Sequence, residues 1–217
     1  MAEDEPERPE WLETSRAGFT EAGIRGQDSE QPELIFREVE DRDLVGQARR
    51  GNVDAYNQLV SRWERRVFNY VLRLLGSRED ALDITQDVFL KAYQNLGKLD
   101  DPARFSSWLY RIAHNEAFSL LRKSRPDREE LQDLAPPPTG PRMLPVETTL
   151  AVTAALDRLS AEQKEAVVLK VYEGFKFEEI AEILGCPAST VKSRVYTGLD
   201  VLKTLLAPVA MGRGESR

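Results

Sequence analysis

Histidine and cysteine occur once each in this chain of 217 residues, as His114 and Cys186. One cysteine excludes an internal disulfide framework, and the two residues together are too few soft ligands for a structural zinc site, so no cofactor is expected. Cys186 reads as a small, half-buried turn residue. No run of about 18 apolar residues is present, which is what a membrane-crossing helix needs. The opening stretch Met1-Ala2-Glu3-Asp4-Glu5 carries three acids where a secretory leader is basic and then apolar. The expectation is therefore a cytoplasmic protein without direct membrane insertion. The residues that catalysis asks for, a phosphate-cradling glycine loop, paired carboxylates in a cleft or a nucleophile beside its base, give little support to an enzyme or a small-molecule substrate.

What is present begins with an uneven charge. Residues 1–40 hold twelve acids against four arginines, a net −8, so the other 177 residues sum to +1 although the whole chain carries −7. A nearly neutral body can hold basic patches that meet phosphate. Residues 1–40 lack helical periodicity and read as an acidic, disordered extension. Residues 41–125 read as a helical domain with one internal break, near Gly97 to Pro102. Six of the twelve prolines fall between Ser124 and Glu147, a density that forbids regular helix and makes 126–147 a tether. Helical pattern resumes over 148–207, and 208–217 reads as a frayed tail. The expected fold class is all-α: two small helical domains joined by a proline-rich linker.

The second domain has the pattern of a helix-turn-helix. Ser160 and Gln163 form a capping box ahead of Ala166, Val167, Leu169, Val171 and Tyr172. Phe177, Ile180, Ala181 and Leu184 follow helical spacing, and Gly185 permits the left-handed turn that ends their helix. From about Ala188, Val191, Val195, Leu199 and Leu202 share an arc of roughly 80°. Ser189, Thr190, Ser193, Tyr196 and Thr197 lie opposite, flanked by Lys192 and Arg194. Hydroxyls and cations on one face suit a major groove.

Two helices of the first domain differ in chemistry. Over Asp80 to Leu96, the residues Ala81, Ile84, Val88, Phe89, Ala92 and Leu96 make a buried face. Asp80, Asp83, Gln86, Asp87 and Gln94 line the other side around Leu90, an acidic stripe with an apolar knob that fits a partner protein. Phe105 to Arg125 is basic. Its core face takes Phe105, Trp108, Leu109, Ile112, Ala113 and Leu120, while Tyr110, Arg111, His114, Phe118 and Arg122 gather behind. Rings interleaved with cations suit exposed bases of single-stranded nucleic acid. Glu116 is the lone acid there, expected at a helix edge or opposite a partner arginine.

In this order the motifs resemble the extracytoplasmic-function (ECF) sigma factors, bacterial transcription-initiation proteins. Asp54-Ala-Tyr-Asn-Gln-Leu-Val looks like the start of that family's region 2, and Asp83-Ile-Thr-Gln-Asp-Val-Phe-Leu-Lys-Ala-Tyr like its polymerase-docking helix. Phe105-Ser-Ser-Trp-Leu-Tyr-Arg-Ile-Ala-His-Asn resembles the part that opens and reads the −10 element. Ser160 to Leu205, with Thr190-Val-Lys-Ser-Arg, resembles the region 4 domain that binds the −35 element. The resemblance implies core RNA polymerase as a partner for Asp80, Asp83, Gln86, Asp87 and Leu90. It implies single-stranded promoter DNA for Arg104, Tyr110, Arg111, His114, Asn115, Phe118, Arg122 and Lys123, with the loop from Gly97 to Ser106 capturing an extruded base. Duplex −35 DNA would meet Ser189, Thr190, Lys192, Ser193, Arg194 and Thr197, and an anti-sigma factor would keep the protein silent. The acidic extension and the few arginines after Arg194 depart from the family's pattern. The competing reading is a stand-alone helix-turn-helix regulator, which would need a dimer interface that the sequence does not show and would leave the first domain without a role.

Overall fold

A computed structural model of the chain describes residues 39–123 and 146–211. The acidic extension up to residue 38, most of the proline-rich tether (124–145) and residues 212–217 lie outside the described residues, as do the readings made of them. Every regular element among the described residues is helical, and none is a strand. No helix among them is long and apolar enough to cross a membrane.

The first half holds four helices: α1 (Asp41–Arg49), α2 (Val53–Leu75), α3 (Arg78–Asn95) and α4 (Phe105–Lys123). Two short 3-10 turns, Leu96–Lys98 and Pro102–Arg104, occupy the break expected near Gly97 to Pro102. Two further breaks were not legible in the hydrophobic period. Gly51 and Gly76 have φ of 90° and 73°, left-handed values that glycine adopts without Cβ strain. Each break is followed by a side-chain cap, Asn52 accepting from Ala55 N at 3.1 Å and Ser77 from Asp80 N at 3.3 Å. Apolar spacing resumes at once after both turns, which hides them from a periodicity reading.

The face expected to be buried on α3 is buried, with Ala81, Val88 and Ala92 at 0% exposure. It packs on α2, where Leu59, Val67, Tyr70 and Val71 are equally enclosed. Two polar groups taken into this core are paired, Tyr56 Oη donating to Phe89 O at 2.5 Å and Thr85 Oγ1 to Ala81 O at 2.6 Å, while Asn69 Oδ1 is buried without a partner among the described residues. Trp63 Nε1 donates to Asp41 at 2.9 Å and ties α1 to α2.

The second half holds α5 (Val146–Leu156), α6 (Ala161–Val167), α7 (Phe177–Leu184) and α8 (Ala188–Met211). The capping box at Ser160 forms as the sequence leads one to expect, and Gly185 ends α7 at φ 63°. Helix α6 continues into a π-helical turn, Val168–Tyr172, which no sequence signal announced. On α8, Val191 and Val195 are buried, but Leu199 is 38% exposed, contrary to its expected inward place. The buried position in that turn is Gly198, where an added Cβ would lie 2.8 Å from Val167 Cγ2. Taking Val191 as origin, Gly198 falls at about −20° and Leu199 at about 80°, so the seam follows the glycine and the leucine sits at its edge. Helix α8 also extends beyond Ala207, to Met211.

One buried apolar cluster runs through both halves, from Leu44 and Val67 through Tyr110 to Leu169, Phe175, Ile180 and Val195. A smaller one, Leu156, Leu159 and Val167, seats α5 and α8 on α6.

Candidate polymerase and nucleic-acid interfaces

The outer side of α3 is acidic. Asp83, Gln86 and Asp87 are exposed, and Asp80 is half-buried in the first turn, where a carboxylate also complements the helix dipole. Leu90, expected as the apolar knob, is half-buried, and the apolar side chain that stands clear is Leu82, 50% exposed. Leu82 lies about 40° from Gln86 on the helical wheel, at the edge of the stripe, but a rule that assigns leucine to the core passes over it.

The segment between α3 and α4 is a built loop. Leu96 and Leu99 are buried and anchor it, and the Arg49 guanidinium donates to both of their carbonyl oxygens. Asp101 caps the second 3-10 turn by accepting from Ala103 N at 2.9 Å, with Pro102 fixing the first helical φ. Against this loop lies a shallow cavity of about 190 Å³ that includes Lys98, Asp101, Arg104, Trp108 and Arg111. The Trp108 ring, half-buried, tilts on Phe105 with centroids 6.1 Å apart, which leaves one face toward the cavity side of the helix.

Helix α4 separates the residues expected to meet a strand into two groups. Arg111, Asn115 and Arg122 are exposed and lie within about 40° of one another on the helical wheel, with half-buried Phe118 beside them. Lys123 is exposed at the helix end, and Arg104 is exposed in the turn before it. Tyr110 does not face outward: it is fully buried, ring to ring with Tyr70 at 5.0 Å and with Phe175 at 4.9 Å. His114 is half-buried, 4.7 Å from the Phe118 ring and with Nδ1 2.7 Å from Glu165. The cause is a second packing surface. On the wheel Tyr110 lies about 100° from Arg111, and that side of α4 is covered by α6, its π turn and α7, so the helix is buried on two flanks. Glu116, expected at a helix edge or opposite an arginine, pairs instead with Lys91 of α3 at 2.5 Å.

Burial dominates the chemistry of the enclosed phenols. It pushes Tyr70 well above the usual tyrosine range, helped by the Glu165 carboxylate, and does the same at Tyr110 beside Glu173. Both hydroxyls stay protonated and donate, to Glu165 at 2.5 Å and to Glu173 at 2.6 Å.

Helices α7 and α8 meet through the corner Gly185, Cys186 and Pro187. Cys186 is half-buried, as expected, with Arg194 Nη1 3.8 Å from its sulfur. Ser189, Lys192, Ser193 and Thr197 are exposed, and Thr190 and Arg194 are half-buried at the edges of the same face. Tyr196, placed on this face by the sequence, is 58% exposed and tilts against Phe177 at 6.2 Å. Lys192 Nζ lies 5.6 Å from the Phe177 ring, within cation–π range.

Fold and surfaces define an all-α protein in two halves, with an acidic helical stripe, a basic helix beside a small loop cavity, and a terminal helix pair that presents hydroxyls and cations. Comparison with known proteins gives the family. Residues 59–126 match Sigma-70 region 2 and residues 149–201 match Sigma-70, region 4. The ECF RNA polymerase sigma-E factor of Haemophilus influenzae is 31% identical over 191 residues, which cover 81% of this chain and 100% of that protein. The RNA polymerase sigma-H factor of Pseudomonas aeruginosa is 29% identical over 191 residues, 81% of this chain and 98% of that one. Among solved structures, the sigma factor RpoE in complex with the anti-sigma factor NepR from Bartonella quintana superposes with a TM-score of 0.61 at 28% identity, over 70% of this chain and 96% of that one. CnrH in complex with the cytosolic domain of CnrY gives 0.59 at 29% identity, over 77% and 97%. The chain belongs to the ECF sigma factors. It is thus a factor that binds RNA polymerase and recognises promoters, and it is not an enzyme.

Proposed function

We propose that this sigma factor divides its work among three surfaces and is held silent by an anti-sigma factor in the cytoplasm. The α3 stripe, with Asp80, Asp83, Gln86, Asp87 and Leu90, docks on the helical clamp of the large subunit of core polymerase. The loop cavity and the strip Arg104, Arg111, Asn115, Phe118, Arg122 and Lys123 take the separated non-template strand of the −10 element and so assist melting, with Tyr110 and His114 joining them once uncovered. Flipping a base into the loop costs a few kcal/mol of unstacking, which favours sites that melt easily. As a helix-turn-helix, α7 and α8 set Ser189, Thr190, Lys192, Ser193, Arg194 and Thr197 in the major groove of the −35 element. Core polymerase and promoter DNA are the working partners, and residues 41–125 and 148–207 are the two functional domains. That RpoE and CnrH were each solved with a bound regulator, NepR and the cytosolic domain of CnrY, supports an anti-sigma partner for this chain.

The observation that carries the reading is the placement of opposite charge on neighbouring helices: Asp83, Gln86 and Asp87 exposed on α3, Arg111, Asn115 and Arg122 exposed on α4. One surface repels DNA while the other attracts it, as a protein that touches an enzyme and a strand at once requires. The test is co-purification of the full chain with core polymerase. Asp83→Arg/Asp87→Arg should weaken association by roughly tenfold or more through charge reversal, with helical circular dichroism unchanged. Equal retention of wild type and variant contradicts the assignment of α3.

A further inference from the structure

We infer that the second half of the chain is the resting occupant of the strand-facing side of α4, latched there by three glutamates that stand in for nucleic-acid acceptors. The inference rests on the proposed role of α4 and adds an intramolecular competitor to it.

The contacts are specific. Glu165, 1% exposed, accepts from Tyr70 Oη at 2.5 Å and lies 2.7 Å from His114 Nδ1. Glu173 accepts from Tyr110 Oη at 2.6 Å and lies 3.5 Å from Arg66 Nε, while its backbone carbonyl accepts from Arg66 Nη2 at 3.1 Å. Glu182, on α7, pairs with Arg104 at the edge of the loop cavity. Of the eight side chains expected to meet the −10 strand, Tyr110, His114 and Arg104 are thereby engaged by carboxylates of the second half. A carboxylate offers the same acceptor oxygens and the same charge sign as a phosphodiester, so these donors cannot serve both at once.

The π turn is what makes the latch fit. In an uninterrupted α-helix, residues eight apart differ by about 80° in direction. One residue absorbed by the π turn makes Glu165 and Glu173 equivalent to residues seven apart, within about 20° of one face. Both therefore point at α2 and α4, and Arg73 of α2 closes the end of the seam by stacking on Tyr172 at 4.3 Å. Beside the apolar contacts of Tyr110 with Phe175 and Leu169, the seam sets acids against donors. Here every glutamate at the seam meets a donor that becomes solvated if the halves part, which is the character of a contact that opens.

The test uses the full chain with Cys186→Ser and spin labels on Glu64→Cys and Lys203→Cys, both exposed positions in opposite halves. The expected result is one narrow inter-label distance for this parent. The seam variant Glu165→Ala/Glu173→Ala/Glu182→Ala should give a longer, broad distribution. Fluorescence anisotropy with a labelled random 20-nucleotide single strand should show the seam variant binding roughly fivefold or more tighter than a control stripped of three acids elsewhere, Glu79→Ala/Glu178→Ala/Asp200→Ala, because affinity scales with the open fraction. If the triple seam variant loses helical content, Glu173→Ala alone is read the same way. A parent distance that is already broad, or that the seam variant leaves unchanged, overturns the latch. Opening without a gain in strand affinity over the control overturns the competition. Opening with no strand binding by any of these proteins strikes instead at the DNA-facing role of α4, so the two failures are told apart.

Discussion

Replacing Gly198 by alanine should destabilise the protein, although the general rule for glycine inside a helix predicts the opposite. Alanine is favoured over glycine by about 0.8–1.0 kcal/mol per helical residue. Position 198 is buried, and the new Cβ would stand 2.8 Å from Val167 Cγ2 and 3.7 Å from both Gln163 Cβ and the Gln163 carbonyl oxygen. Val167 cannot easily yield: it is β-branched, 1% exposed and enclosed by Leu156, Leu159 and Leu202. Overpacking by one methyl in such a site costs about 1–3 kcal/mol. Taking about 2 kcal/mol for the clash and subtracting the propensity gain leaves a net loss near 1 kcal/mol. For a chain of this size that lowers Tm by roughly 2–4 °C. Differential scanning calorimetry on wild type and variant reads the sign directly. A rise in Tm would mean that α8 does not rest on α6 through this glycine, and the seating of the recognition face would have to be redrawn.

Ser160→Ala removes one side of the capping box and should cost about 1 kcal/mol of stability in urea melts, while Gln163→Ala, which loses only the return bond, should cost less. Alkaline pH should unfold the protein by a defined route. The phenols of Tyr56, Tyr70 and Tyr110 are all held above the ordinary value of 10.0 by burial. An unfolded chain then gives up these protons at about pH 10 and the folded chain keeps them, so their contribution is complete below that pH and is lost as pH rises above it. Absorbance at 295 nm should show the phenolates of these three residues appearing together with the loss of helical signal, and their appearance in a still-folded protein would contradict the burial. Asp101→Ala should loosen the loop before α4 and weaken single-strand binding without lowering Tm by more than about 2 °C, since Asp101 is exposed and caps only a 3-10 turn.

Local chemistry made much of this legible in advance. Ser160 with Gln163, Gly185, and the spacing of Ala81, Val88 and Ala92 each act within one helix, so the amino-acid order carries them. What depends on a second element was harder to read. The helical wheel turns Tyr110 outward because Phe105, Leu109 and Ala113 already fill one flank of α4; that a second flank is buried depends on α6 and α7, some 50 residues or more away in the chain. Leu199 and Gly198 exchange roles for a similar reason, since only the closeness of α6 shows that the seam needs a residue without a side chain. The turns at Gly51 and Gly76 left no gap in apolar spacing. The π turn carries no composition signal, yet it decides which way Glu165 and Glu173 face. The polar acceptors that engage α4 are therefore the part of the candidate site that required a three-dimensional arrangement to be seen.

As a sigma factor, this chain gives core RNA polymerase its choice of start site. The most direct measurement is transcription in vitro from fragmented genomic DNA of the organism that carries the gene, with core polymerase in the presence and absence of the purified chain, followed by sequencing of transcript 5′ ends. A discrete set of new start sites, preceded by shared −10 and −35 sequences, is expected. A set of 5′ ends indistinguishable from that made by core polymerase alone would contradict it.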